Sequence, residues 1–179
     1  MKNEKVPLKG MIYASMFGAA TAVGAYIIIP FPLVPITLQT LFVNLSGALL
    51  GGLLGALSQV VYVLLGIIGL PVFAGGKAGM GILIGPTGGY LMGFIAAAYV
   101  IGKLIEVKEK PGLIWIIFSM VAGLIVIYTL GVIQLSLIAK LSFKKAVSVG
   151  VLPFLMGDAL KIIAAALITL KIKDKIHII

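Results

Sequence analysis

The stretch LVPITLQTLFVNLSGALLGGLLGALSQVVYVLLGIIGL, residues 33–70, contains no charged side chain. A helix needs about 20 residues to cross about 30 Å of hydrocarbon. These 38 residues are therefore too many for one membrane-spanning helix, and only the pair Gly51-Gly52 marks a turn within them. We predict two membrane helices here, over residues 36–50 and 52–70, joined at the glycine pair.

The rest of the chain divides in the same way. Of its 179 residues, 61% are hydrophobic and 11% are charged, and the mean hydropathy of +1.25 exceeds what the core of a soluble domain requires. Breakers separate four further segments of span length, at residues 10–29, 86–105, 112–139 and 147–170. The predicted fold is an all-α integral membrane protein, a single domain over residues 1–179 with six transmembrane helices.

The lysines indicate a topology. All 14 basic residues are lysines, mostly at the ends of apolar segments, which favours interfacial anchoring over a nucleic-acid surface despite the net charge of +9. With both termini cytoplasmic, the inside holds nine lysines: Lys2, Lys5, Lys9, Lys103, Lys108, Lys110, Lys171, Lys173 and Lys175. The outside holds four, Lys77, Lys140, Lys144 and Lys145. The positive-inside rule favours this orientation, although the three lysines at 140–145 run against it.

The N-terminal segment and the missing motifs narrow the function. The first apolar run follows a basic start, but it is of span length and no convincing cleavage site follows it, so we interpret it as a retained helix. The chain has no cysteine and a single histidine, His177, and no cluster has metal-ligand spacing. GGKAG at 75–79 lacks the spacing of a nucleotide-binding loop, and HExxH and GxSxG are absent. We predict no catalytic residue, no metal and no cofactor.

The last apolar segment contains two opposite charges, Asp158 and Lys161. At a spacing of three they lie on one face of a helix, and each charge costs on the order of 3 kcal/mol near the centre of a bilayer. Two interpretations remain open: an ion pair that fixes helix packing, or a polar site that faces the interior of the bundle.

Three other stretches are candidates for function. Residues 71–94 are rich in glycine, which permits either a plain outer loop with a helix start at Pro86 or a loop that covers a pocket. In IPFPLVPITLQTL, residues 29–41, three prolines force an extended connection. The polar side chains that follow, Thr37, Gln39 and Thr40, are helix caps or ligand contacts, and Gln39 is the better ligand candidate because an amide donates and accepts.

The third stretch is a column of small residues spaced four apart on the first helix: Gly10, Ala14, Gly18 and Ala22. Such columns let helices approach closely in lipid. The column either packs against another helix of the same chain or docks to a separate membrane subunit.

Four stretches together resemble the biotin-uptake substrate-binding subunit, the BioY-type S-component, of energy-coupling-factor (ECF) transporters. They are VPITLQTLF, GLPVFAGG, GPTGGYLMGF and PFLMGDALK, in the order of that family. The resemblance implies six membrane helices with cytoplasmic termini, a vitamin pocket near the outer face that is gated by loops, and a location in the plasma membrane of a prokaryote. It also implies a membrane coupling subunit and two cytoplasmic ATPases as partners.

The resemblance assigns roles to particular residues. It implies that Asp158 and Lys161 are the polar pair of the last helix and that the segment from Gly75 to Gly79 is a gating and binding loop. It also implies a polar uncharged or arginine contact in this loop and at the start of the fourth helix, and this sequence departs from that pattern: Lys77 and Tyr90 occupy the nearest polar positions. Ala14, Gly18 and Ala22 are then the face for the coupling subunit.

Biotin suits these residues chemically. Its ureido group has two N–H donors and a carbonyl acceptor, and its tail ends in a carboxylate. We expect Asp158 to accept the ureido protons, Lys161 or Lys77 to pair with the carboxylate, and Phe73 and Tyr90 to cover the apolar rings. The alternatives are an S-component for a different vitamin and a proton-coupled secondary carrier in which Asp158 titrates.

Overall fold

A computed structural model describes residues 8–173. Its elements, in chain order, are α1 (Leu8–Tyr26), β1 (Ile28–Ile29), β2 (Ile36–Thr37), α2 (Gln39–Ile67), α3 (Met80–Leu83), α4 (Gly88–Glu106), α5 (Leu113–Ile138), α6 (Phe143–Gly150) and α7 (Leu155–Ile172). The fold is helical, as predicted, apart from β1 and β2, which pair antiparallel with Ile28 opposite Thr37. The predictions for both termini, including those for Lys2, Lys5, Lys175 and His177, fall outside the described residues.

Helix α2 reverses direction at its middle. Gly51 has φ 82° and ψ 179°, which is outside the helical region. A Cβ added to Gly55 would lie 2.8 Å from the Cα of Gly47, although residues eight apart in a straight helix are separated by about 12 Å. The Nε2 of Gln59 likewise lies 3.2 Å from the Oγ of Ser46. The α2 segment is thus a hairpin of two antiparallel arms, residues 39–50 and 52–67, and the turn predicted at Gly51-Gly52 is where the chain reverses.

The hairpin turn packs directly on α4. A Cβ on Gly102 would lie 2.2 Å from the backbone of both Gly51 and Gly52, so the two segments meet backbone to backbone. The Glu106 carboxylate accepts a hydrogen bond of 2.7 Å from the Gly52 N–H, and the same side chain forms an ion pair of 2.8 Å with Lys103. One carboxylate therefore satisfies an amide at the start of the second arm, where no intrahelical acceptor is available.

Large apolar side chains cover the outside of the bundle. Ile114 is 85% exposed and Met156 is 80% exposed, and contiguous apolar surface of this kind marks contact with a membrane. Among residues 8–173, α4 and α5 are each long and apolar enough to cross a membrane. The 29 residues of α2 pass the same test only when both arms are counted together, and the bent pair of α6 and α7 also passes it. The chain is a helical membrane protein.

The prediction of one unbroken last helix over residues 147–170 is wrong. The chain forms α6 and α7 instead, which meet at an angle of 52°. Pro153 lies between them. A proline has no backbone N–H to donate, and its ring clashes with the preceding turn, so it breaks the helix at this point.

The column of small residues on α1 packs within the chain. Ala14 is 1% exposed, and a Cβ on Gly18 would lie 2.9 Å from the carbonyl oxygen of Ser58 in the second arm of α2. Ala22 is partly buried against the core. Ala14 and Gly18 therefore face the hairpin of the same chain, so of the two interpretations of the column the structure favours packing within the chain.

Candidate functional site

A cavity of about 430 Å³ lies at the end of the bundle opposite the Gly51 turn, where α2, α4 and α7 begin. This volume is in the range of sites for small molecules. Every residue predicted to contact a ligand lies on its wall: Gln39, Phe73, Gly75, Lys77, Tyr90, Asp158 and Lys161. The fold thus brings together positions separated by more than a hundred residues.

Asp158 is the centre of a hydrogen-bond network in this wall. Its Oδ1 accepts hydrogen bonds of 2.8 Å from the Thr40 hydroxyl and 2.8 Å from the Lys161 ammonium. Its Oδ2 accepts one of 2.5 Å from the Tyr128 hydroxyl. The Asp158 side chain is 4% exposed and that of Lys161 is 11% exposed. Both charges are therefore paired where water is scarce, which offsets part of their desolvation.

The pair keeps hydrogen-bonding capacity for a ligand. The Lys161 ammonium has three N–H donors, of which two are directed to Asp158 and, at 3.1 Å, to the Thr40 hydroxyl. A carboxylate oxygen accepts about two hydrogen bonds, and Oδ2 receives that of Tyr128. One donor and one acceptor site thus lie side by side on the cavity wall.

Gln39 lies at the start of α2 and belongs to a second network. Its Oε1 accepts a hydrogen bond of 2.8 Å from the Thr37 hydroxyl, and its Nε2 donates one of 2.5 Å to the Tyr62 hydroxyl. The preceding residue, Leu38, makes no side-chain cap to the helix. Gln39 is 4% exposed, so its amide is held in a fixed orientation at the cavity wall.

The glycine-rich segment is anchored by one aromatic ring. Phe73 is 1% exposed. Its ring packs directly against Gly66, because a Cβ added to Gly66 would lie only 2.1 Å from a ring atom of Phe73. The Gly75 N–H donates to the Ala25 carbonyl at 3.4 Å, and the Gly79 N–H donates to the Gly66 carbonyl at 2.7 Å. This tether brings Lys77 to the cavity mouth, where its side chain is exposed.

Tyr90 contributes its ring to the cavity and its hydroxyl to the fold. The hydroxyl donates a hydrogen bond of 2.9 Å to the Gly150 carbonyl at the end of α6, and Tyr90 is buried. Its polar atom is thus already paired, and the ring supplies an apolar wall.

Sequence reasoning missed Tyr128 and Phe154. Tyr128 reaches Asp158 from α5, and Phe154 lines the cavity in an edge-to-face contact with Phe31 at 6.2 Å between ring centroids. A tyrosine in the middle of an apolar span was the available signal, since ionisable groups in a span usually face the bundle interior.

Comparisons with known proteins show which family the chain belongs to. A family model described as the BioY family matches residues 1–177. A protein of Thermotoga maritima named "Biotin transporter BioY" is 49% identical over 166 residues, which cover 93% of this chain and 96% of that protein. A "Probable biotin transporter BioY" of Pyrococcus horikoshii is 39% identical over 168 residues, 94% of this chain and 95% of that protein.

A solved structure has the same fold. It is described as the crystal structure at 2.1 Å of the S-component for biotin from an ECF-type ABC transporter. The TM-score is 0.85 at 27% sequence identity, and the match covers 97% of this chain and 94% of that one. The chain described here therefore belongs to the BioY family.

Proposed function

We propose that this chain is the biotin-binding S-component of an ECF-type importer. The observation that carries the proposal is the donor and acceptor that Lys161 and Asp158 place side by side on the wall of an otherwise mostly apolar cavity. This arrangement lies within a chain that has the fold and the sequence of the BioY family.

The paired charges match the ureido group. The Asp158 carboxylate and the Lys161 ammonium are joined by an ion pair of 2.8 Å, so a ligand group that meets the remaining acceptor site on Oδ2 lies close to the remaining N–H of Lys161. A ureido group offers an N–H next to a C=O and can satisfy both at once. A carboxylate offers only acceptors, and Asp158 would repel it.

The biotin carboxylate is then left for Lys77. This lysine lies at the cavity mouth on the anchored glycine-rich segment, and its exposed side chain is a compact cation on a flexible stem. Biotin would lie with its ureido group against α7, its rings against Phe73, Tyr90 and Phe154, and its tail toward Lys77.

The proposed topology has six crossings with both termini cytoplasmic, because the two arms of α2 count separately. Among residues 8–173, six lysines lie at the end that carries the Gly51 turn: Lys9, Lys103, Lys108, Lys110, Lys171 and Lys173. Four lie at the cavity end: Lys77, Lys140, Lys144 and Lys145. The positive-inside rule places the first end in the cytoplasm and the cavity mouth outside.

Uphill uptake needs an energy source, which we assign to a separate coupling subunit and two cytoplasmic ATPases. The contact with the coupling subunit is proposed for the exposed side of α1, where Ser15 and Ala19 are small, exposed and four residues apart. Small exposed residues let a partner helix approach closely in lipid.

Calorimetry on the purified chain tests the function. We expect one biotin per chain without any ion gradient. We also expect 2-iminobiotin, in which the ureido oxygen is replaced, to bind at least about tenfold more weakly because it loses the acceptor for Lys161. A stoichiometric preference for another vitamin, or binding that requires a proton gradient, would contradict the proposal.

A further inference from the structure

A second cavity lies on the side of the bundle that faces lipid, between α5 and α6. Its volume is about 220 Å³. Its walls are formed by Tyr128, Val132 and Ile133 of α5 and by Phe143, Val147 and Val151 of the α6 region. We call it the α5–α6 groove.

The polar atoms that border this groove are already paired. The Thr129 hydroxyl donates a hydrogen bond of 2.7 Å to the Ile125 carbonyl. The Tyr128 hydroxyl points away from the groove and donates a hydrogen bond to Asp158. What remains toward the groove is aliphatic and aromatic surface, including Phe143, which is 65% exposed. A hydrocarbon chain fits such a groove without leaving any polar group unsatisfied.

Two lysines flank one end of the groove. Lys144 precedes Val147 by three residues and Val151 by seven, so it lies toward the face of α6 that lines the groove. Lys140 lies two residues beyond the end of α5, in the short connection to α6, and is exposed. Lys145 is also exposed but lies on the opposite flank of α6, about 160° around the helix axis from Phe143 at 100° per residue.

These lysines run against the proposed topology. In the orientation proposed above they lie on the outer side, where lysines are disfavoured by the positive-inside rule. The ligand cavity does not include them either. A cationic pair at the end of a hydrocarbon-lined groove is complementary to one class of membrane component, an anionic phospholipid.

We propose that the α5–α6 groove binds an anionic phospholipid, with one acyl chain along Val132, Val147 and Val151 and the phosphate between Lys140 and Lys144. Burial of the methylene groups supplies affinity, and the two ammonium groups supply the preference for a negative headgroup. The site is independent of which vitamin the ligand cavity takes.

The test uses the full-length chain in nanodiscs of phosphatidylcholine with graded phosphatidylglycerol. Lipid retained after transfer to detergent is measured by native mass spectrometry. We expect one retained phosphatidylglycerol per chain. The double substitution Lys140→Gln, Lys144→Gln should lower its preference over phosphatidylcholine about tenfold. Lys144→Gln alone should lower the preference about threefold. Lys145→Gln is its matched control, since it removes the same charge one residue away, and it should change the preference by less than about twofold.

A second experiment fills the groove with a large side chain. Val147→Trp, and separately Ile133→Trp from the opposite wall, should displace the retained lipid whatever its headgroup, while biotin binding reports that each variant is folded. Equal retention of the two lipids by the unmodified chain would overturn the site. Equal effects of Lys144→Gln and Lys145→Gln would reduce it to a diffuse surface charge, and unchanged retention in both tryptophan variants would exclude the groove.

Discussion

The hydroxyl of Tyr128 on α5 lies 2.5 Å from Oδ2 of Asp158 on α7. Together with Thr40 and Lys161 it gives the Asp158 carboxylate three donors from three segments of the chain. A carboxylate held from three directions keeps one orientation, and preorganised polar groups bind a ligand at a lower entropic cost.

Tyr128→Phe should therefore weaken biotin binding by about 0.5–1.5 kcal/mol, because it removes one hydrogen bond and keeps the volume of the ring. Calorimetric titration of the purified variant measures this. Tyr99→Phe is the control, since Tyr99 is 45% exposed on the bundle surface and lies outside the cavity. Equal affinities for Tyr128→Phe and the unmodified chain would show that the carboxylate is oriented without this hydroxyl.

The ion pair has separable roles in stability and binding. Asp158→Asn and Lys161→Met should each lower the free energy of unfolding by about 3–5 kcal/mol, because each leaves the other group unpaired. The double variant should recover most of the lost free energy of unfolding. Its binding free energy for biotin should still be weaker by about 1–3 kcal/mol. Thermal unfolding in detergent and calorimetry give the two quantities. Full affinity in the double variant would make the pair purely structural.

Lys77 should distinguish two forms of the ligand. Lys77→Gln should weaken biotin by about 0.5–1.5 kcal/mol and leave biotinamide unchanged, since the amide carries no charge for the ammonium to meet. Lys161→Met should weaken both ligands alike if Lys161 meets the ureido group. A larger loss for biotin than for biotinamide in Lys161→Met would place the carboxylate at α7 instead.

Protection of backbone amides from hydrogen exchange should differ between two segments that line the cavity, residues 73–79 and residues 30–35. Phe73 and Gly79 donate backbone hydrogen bonds to Lys77 and Gly66, so their amides should exchange slowly even without biotin. The stretch 30–35 contains three prolines and lines the cavity, and its remaining amides should gain protection when biotin binds. Hydrogen exchange followed by mass spectrometry checks both. Protection that appears only at 73–79 would make the glycine-rich segment the moving part.

Helix α1 should tolerate change on one face and not on the other. Gly18→Leu should abolish biotin binding, because its Cβ would meet the Ser58 carbonyl at 2.9 Å and force the hairpin away. Ala19→Trp, on the exposed face, should leave binding intact and lower ATP-dependent uptake by the assembled transporter at least about tenfold, because close packing drives helix association in lipid. Unimpaired uptake would move the coupling contact off α1.

Local sequence signals predicted much of the fold. Charge-free runs placed the apolar segments, and a glycine pair placed the reversal at Gly51, because hydropathy and turn chemistry are read over a few residues. Pro153 is a local signal of the same kind, since a proline inside an apolar segment breaks a helix.

The site was less accessible from sequence. Thr40 and Asp158 are 118 positions apart, and no local pattern indicates that the two helices meet. The small residues of α1 predicted close packing correctly, but the spacing of four cannot tell a neighbour in the same chain from a separate subunit.

The reversal at Gly51 also fixes how thick the protein is at that point. The two arms have 12 and 16 residues, and at 1.5 Å per residue they reach about 18 and 24 Å, less than the roughly 30 Å of a typical hydrocarbon core. Of the two arms, only the second exposes large apolar side chains, Leu53 and Leu64, so lipid beside that arm meets a mismatch that costs fractions of a kcal/mol for each ångström. Lipid chain length therefore enters the stability of this fold, and shorter chains should suit the hairpin better than long ones.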